Sequence, residues 1–147
     1  MKSMKRMLPA VAVMLLSMFA VEAMAQEHYT EGPVWRCSLV RVNEGKMDAY
    51  LTSLRANSKP LIDQEKKDGL IMDYKIFLKE TKENEKDWDI AVCILYKNHA
   101  AMDGLAAKVE AARDKVSSKA AMQDVAEKRT AIREILSSML MQEVTLK

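Results

Sequence analysis

Four glycines and two histidines are a thin supply for the chemistries that depend most on them in a chain of 147 residues. So few glycines leave no loop whose backbone N–H groups could cradle a phosphate, and no G-x-S-x-G elbow is present. Nucleotide chemistry and serine hydrolysis are disfavoured on that ground. His28 and His99 form neither H-x-x-x-H nor H-E-x-x-H, and the two cysteines, Cys37 and Cys93, are too far apart for C-x-x-C. A metal site needs three or four convergent ligands, so none is expected, and no cofactor is implied. No internal repeat or low-complexity stretch is visible.

What the chain does have begins with a leader. Lys2, Lys5 and Arg6 precede an apolar run from Leu8 to Val21, and Ala23-Met24-Ala25 is a small-x-small cleavage pattern. Residues 1–25 therefore read as a signal peptide with Gln26 as the new N-terminus, and the run is too short for a membrane span. The expected location is periplasmic or secreted, with no membrane attachment after cleavage. The leader takes three of the 23 basic residues and one of the 21 acids, leaving 20 of each. A neutral mature chain argues against a nucleic-acid or anionic-membrane binder. Six of the twelve methionines leave too, and the rest are scattered, which removes the suggestion of a Met-rich metal carrier.

Residues 26–33 are polar and expected as a flexible arm, with one domain over 34–147. Val34 to Val42 is rich in β-branched and aromatic residues and predicts a strand. After the turn Asn43-Glu44-Gly45, a helix begins near Lys46 with a stripe of Met47, Tyr50, Leu51, Leu54, Ser58 and Leu61. Pro60 should kink it or start a second segment, and Gly69 should cap its end. A strand is expected from Leu70 to Leu78, a solvated hairpin loop from Lys79 to Asp87, and a central strand from Trp88 to Tyr96. Asn98 is a good N-cap for a helix with Met102, Leu105, Val109, Ala112 and Val116 inward. Ser117-Ser118 breaks the pattern, a further helix follows with Met122, Val125, Ala126, Arg129, Ile132 and Ile135, and Met139 to Leu146 is the last strand.

The order β-α-β-β-α-α-β is an α+β, split βαβ, ferredoxin-like plan with one extra helix. It predicts a four-stranded antiparallel sheet with the first and third strands central and the helices on one face. Strand residues are apolar at both parities: Val40, Val42, Ile90, Val92 and Ile94 on one side, Trp35, Cys37, Leu39, Ala91, Cys93 and Leu95 on the other. A chain this short has nothing left to cover the second face, which predicts a homodimer through the sheet.

Three stretches resemble the dimeric α+β barrel superfamily: Val40 to Tyr50 as its strand-turn-helix, Trp88 to Leu95 as its apolar third strand, and Tyr96-Lys97-Asn98-His99-Ala100-Ala101-Met102 as its strand-to-helix junction. The resemblance implies two ferredoxin-like protomers packed sheet to sheet. The superfamily's haem-degrading members use an Asn, Trp and His set. Aligning their aromatic-Lys dipeptide on Tyr96-Lys97 puts Leu105 and Lys115 where the Trp and His should stand, so haem degradation is not implied.

On the face expected to look into the barrel stand Arg41, Asp73, Lys75, Asp89 and Glu143. Together with Trp35, Tyr74 or Phe77, and Tyr96, these could line a cavity for a small amphipathic ligand, with His99 at the nearby helix start. The alternative is that these charges are simply solvated. Cys37 and Cys93 fall on neighbouring strands and the same face. They could form a disulfide, if their Cα atoms lie within about 7 Å, or remain two small buried residues. The run Glu65-Lys66-Lys67-Asp68 reads as a solvated helix face. Three roles remain open: an exported homodimer with a small-molecule-binding or accessory role, a cofactor-independent monooxygenase or isomerase resting on Asp89, Arg41 or His99, and a pure protein-interaction module.

Overall fold

Strand-forming residues that are apolar at both parities put β1 (Tyr29–Val42) and β3 (Ile90–Tyr96) side by side at the centre of the sheet. The computed structural model describes residues 28–147, so the leader, its cleavage point and Gln26 lie outside the described residues. The remaining strands are β2 (Asp73–Leu78) and β4 (Arg133–Leu146), in the order β2-β3-β1-β4. β1 and β3 are antiparallel with Cys37 opposite Cys93, and β2 and β3 are antiparallel with Lys75 opposite Cys93. The protein is an α+β fold built on a four-stranded antiparallel sheet. Two units separate: Gly32–Glu143, and the strand ends, residues 28–31 with Val144–Lys147, in which the Lys147 N–H donates to the His28 carbonyl at 3.1 Å.

The helices are α1 (Met47–Ser53), a π-helical turn (Leu54–Ser58), α2 (Lys59–Lys67), α3 (Leu105–Asp114) and α4 (Lys119–Thr130). They cover one face. Val40, Val42 and Ile90 pack with Tyr50 and Leu54, while Ile94 and Tyr96 pack with Ile62, Ile71 and Leu105. On the other face Cys37, Ala91 and Cys93 form a small cluster against the partly buried Trp35, Leu39 and Trp88. The parity expected from the sequence is therefore the parity observed for these strand residues.

α1 and α2 are continuous through the π-turn, with right-handed dihedrals at Ser53, Leu54, Ser58 and Lys59. The π-turn sits where Pro60 has no N–H to offer the preceding turn, which is a common cause of such a bulge. The second segment expected at Pro60 is α2, which starts at Lys59 and follows the π-turn without a gap. One extra residue turns the helix face by about 100°. Beyond Leu54 the core side passes from the expected Leu61 to Ile62 and then to Glu65, which is only 6% exposed. Glu65 is thus no part of a solvated face.

The π-turn also leaves the Ser53 carbonyl open to Arg129 of α4. Arg129 Nη2 donates to that carbonyl at 2.8 Å and to Ser58 Oγ at 2.9 Å, and Nε donates to Ser53 Oγ at 2.8 Å. α2 ends at Gly69, whose φ of +73° few other residues adopt. Asn98 caps as expected, Oδ1 accepting from Ala101 N–H at 3.0 Å. What it caps is a 3-10 turn, His99–Met102, with α3 starting only at Leu105. Ser118 caps α4 by accepting from Ala121 N–H at 3.2 Å.

Two expectations about boundaries fail. Tyr29 to Pro33, placed in an arm, are the first part of β1. The last strand starts at Arg133 and not at Met139, because α4 stops at Thr130. Ile132 and Ile135 only happened to continue the helical spacing; Ile135 lies in the strand.

The Cys37–Cys93 disulfide closes a separation of 56 residues across a directly opposed pair, with Cα atoms 4.0 Å apart. Cross-linking a loop of that size predicts a loss of about 2–4 kcal/mol in a Cys37→Ser, Cys93→Ser double variant. Its urea midpoint should fall well below that of the oxidised protein, and equal midpoints would refute the expectation. Removing the three bonds of a charged donor predicts that Arg129→Ala costs about 2–3 kcal/mol, while Arg129→Lys recovers only part of it. Thermal midpoints of the two variants check this.

Candidate functional site

The residues expected around one cavity do not converge. Trp35, Arg41 and Lys75 do belong to the face away from the helices, and there each charged group already has a partner. Arg41 pairs with Glu134 and donates to the Lys86 carbonyl at 3.4 Å. Trp35 Nε1 donates to Glu143 Oε1 at 2.6 Å, and the Lys75 ammonium lies 5.5 Å from the centre of the Trp35 ring.

Asp89 is 8% exposed and used structurally: Oδ2 accepts from Val42 N–H at 2.8 Å, and the carboxylate pairs with Lys82. Arg41 and Asp89 do come together, on a polar depression of about 820 Å³ closed by Lys82–Glu85 of the hairpin loop. Asp73 departs from expectation, since its carboxylate is 2.9 Å from Lys66 on α2 and ties the start of β2 to that helix. The Lys66 hydrogen bond holds the Asp73 carboxyl below the ordinary range.

Tyr96 is on the opposite side from the one expected. It is fully buried beneath the helices, because residues of its parity on β3 face α2 and α3. His99 stands exposed on the 3-10 turn. It follows the C-terminal end of β3, whereas Asp89 precedes the N-terminal end. A seven-residue strand separates the two by about 20 Å. His99 and the Arg41–Asp89 pair therefore cannot share one reacting atom.

A second set of polar residues sits together on the helix side. Arg36, at a helix-facing position of β1 between Val34 and Ser38, lays its guanidinium 5.4 Å from the centre of the Tyr96 ring. The Tyr96 hydroxyl is buried without a hydrogen-bond partner, and so is Arg113 Nε on α3. Glu65, brought inward by the π-turn, lies near both arginines. Burial raises its carboxyl above the ordinary value, and Arg36 and Arg113 pull it back through space without a direct hydrogen bond. Burial likewise raises the Tyr96 phenol, so that it stays a neutral donor.

Arg36 and Arg113 open onto a groove of about 630 Å³ floored by Met102, Leu105, Ala106 and Val109, with Glu110 and Lys119 at its rim. Lys119 and Glu110 are 3.8 Å apart. The sequence carried one clear signal for this site, a lone arginine at an apolar, helix-facing strand position. Glu65 left a fainter one, four residues after Leu61 on the expected stripe, masked by the charged run Glu65-Lys66-Lys67-Asp68.

Among the described residues no group of three or more His, Cys, Asp or Glu could hold a metal ion. No helix among them is long and apolar enough to cross a membrane. Compared with protein-family models, with curated proteins and with solved structures, the chain matches none.

Since its pKa is raised in the folded protein, Glu65 costs stability once pH climbs past the 4.5 of an unperturbed glutamate. The cost is absent below that value and complete above the raised one. Glu65→Gln is expected to be more stable than the parent at pH 7 and equal to it near pH 4. Urea midpoints at the two pH values decide, and a variant weaker at pH 7 would contradict the assignment.

Proposed function

We propose that this protein is an exported homodimer, two ferredoxin-like protomers packed sheet to sheet as a dimeric α+β barrel, with a small-molecule-binding or accessory role. The observation that carries it is the face away from the helices. Phe77, opposite Ala91 on that face, is 49% exposed, and Cys37, Ala91 and Cys93 are flanked there by Trp35, Leu39 and Trp88, with no further layer above among the described residues.

The edge strands add to the argument. β2 exposes Ile76, Phe77 and Leu78, and β4 exposes Ile135, Leu136, Leu140 and Met141. Soluble proteins seldom leave long apolar edges bare. A second copy is the occupant that fits best. Arg41 is paired with Glu134 within the chain, and Trp35 engages both Lys75 through its ring and Glu143 through its indole N–H, so an identical face would meet charges that already have internal contacts. A stable interface of ordinary size buries about 1,600 Å² in total, within reach of a four-stranded sheet.

Export is supported by the leader and is compatible with the Cys37–Cys93 disulfide, a bond that oxidising compartments favour. The binding role is supported by polar groups left without partners on the helix side.

Native mass spectrometry of protein recovered from its own periplasm or medium tests the reading in one measurement. A dimer whose chains begin at Gln26 is expected, with Phe77→Glu shifting it to monomer at micromolar concentration. A wild-type monomer under those conditions, or a chain that keeps its leader, would overturn it.

A further inference from the structure

We infer that the groove between β1 and α3 is a binding site for a small amphipathic carboxylate, its anionic end held by Arg36 and Arg113 beside Tyr96 and its apolar arm lying on Leu105 and Val109. The inference rests on the binding role proposed above and is independent of the dimer.

Four polar residues from four elements meet here: Arg36 on β1, Glu65 on α2, Tyr96 at the end of β3 and Arg113 on α3. They sit in a layer that is otherwise apolar, yet they do not satisfy one another. The Tyr96 hydroxyl and Arg113 Nε are both buried and without a partner, and neither arginine makes a direct hydrogen bond to Glu65. Buried polar groups are ordinarily paired, because an unmade hydrogen bond there costs about 1–3 kcal/mol. A cluster with several open donors and one charge of the opposite sign is short of an acceptor.

The charges specify which acceptor. Arg36 and Arg113 bring two positive charges against the single carboxyl of Glu65, and Lys119 and Glu110 at the rim offset each other. A monoanion completes the balance. Guanidinium forks match the planar carboxylate with two parallel bonds, and Arg36 and Arg113 are the two that line the groove. The floor of Met102, Leu105, Ala106 and Val109 is apolar, which suits an aliphatic or aryl arm. A volume of about 630 Å³ lies within the range of small-molecule sites. Tightly hydrated inorganic anions gain nothing from that floor.

Titration calorimetry with hexanoate on the mature protein tests the inference, with hexanamide as the neutral isostere. Hexanoate is expected to bind, and hexanamide to bind at least about tenfold more weakly, the usual worth of a charge-assisted contact. Arg113→Ala and Arg36→Ala should each weaken hexanoate about tenfold. Neither side chain makes a hydrogen bond among the described residues, so both variants are expected to keep the parent's circular dichroism. Arg36→Gln stands in if the alanine variant does not fold.

Glu65→Gln should act the other way and tighten hexanoate several-fold, since it removes the competing carboxyl. A purely structural role for the cluster would not produce that gain. Equal binding of acid and amide, unaltered by the arginine variants, would leave a binding protein but overturn the carboxylate site. The same holds if hexanoate fails to bind while the protein remains a dimer.

Discussion

Between Leu54 and Ser58 the first helical run winds wider than an α-helix, and much of the helix layer follows from that one turn. It takes up Pro60 without ending the run, and it frees the Ser53 carbonyl that Arg129 of α4 then occupies. It also rotates everything after it, so that Ile62 replaces Leu61 against the sheet and Glu65 follows it inward. A π-bulge is costly by itself, and such turns persist where the surroundings over-determine them. Here the surroundings are a three-pronged arginine and an apolar contact with Ile94 and Tyr96. The carboxyl that arrives with the rotation ends near two arginines and a buried phenol.

The sheet is held differently. β1 and β3 are paired from Val34 opposite Tyr96 to Val40 opposite Ile90, and the disulfide sits within that ladder. A one-residue slip would turn every side chain to the other face and separate the cysteines. The bond and the alternation therefore specify the same register. That register sends Tyr96 beneath the helices and Trp35 to the open side, and each strand serves two unlike surfaces.

The order of elements places the sheet's centre, and period-two alternation in Val34–Val42 and in the apolar third strand places its faces and puts both cysteines on one of them. Asn98 and Gly69 marked boundaries through chemistry that acts within a few residues. The boundary failures share a cause: each depends on contacts between segments distant in sequence. Ile132 and Ile135 continue a helical spacing by coincidence, and the pairing of Gly32 with Glu143 lies more than a hundred residues apart in the chain. Tyr96 was placed on the wrong face because it was grouped with Trp35 and Phe77 as an aromatic, although its even number on β3 assigns it to the side of Ile94. The burial of Glu65 has a faint periodic signature, four residues after Leu61, which the charged run from Glu65 to Asp68 masks. Arg36 is legible too, as a charge at a helix-facing position of an otherwise apolar strand.

The two surfaces of the sheet can be told apart by how their polar groups are spent. On the open face Arg41, Trp35 and Lys75 are engaged by Glu134, Glu143 and one another, leaving mainly apolar surface to contribute to any contact. A protein partner suits such a face, because association is penalised most by charges it must desolvate without pairing. Under the helices the reverse holds, with Tyr96 and Arg113 shielded from water and unpaired. Folding alone does not reward that arrangement; an acceptor arriving from outside does. That contrast is what supports the proposals of a ligand on the unsatisfied side and a second chain on the satisfied one.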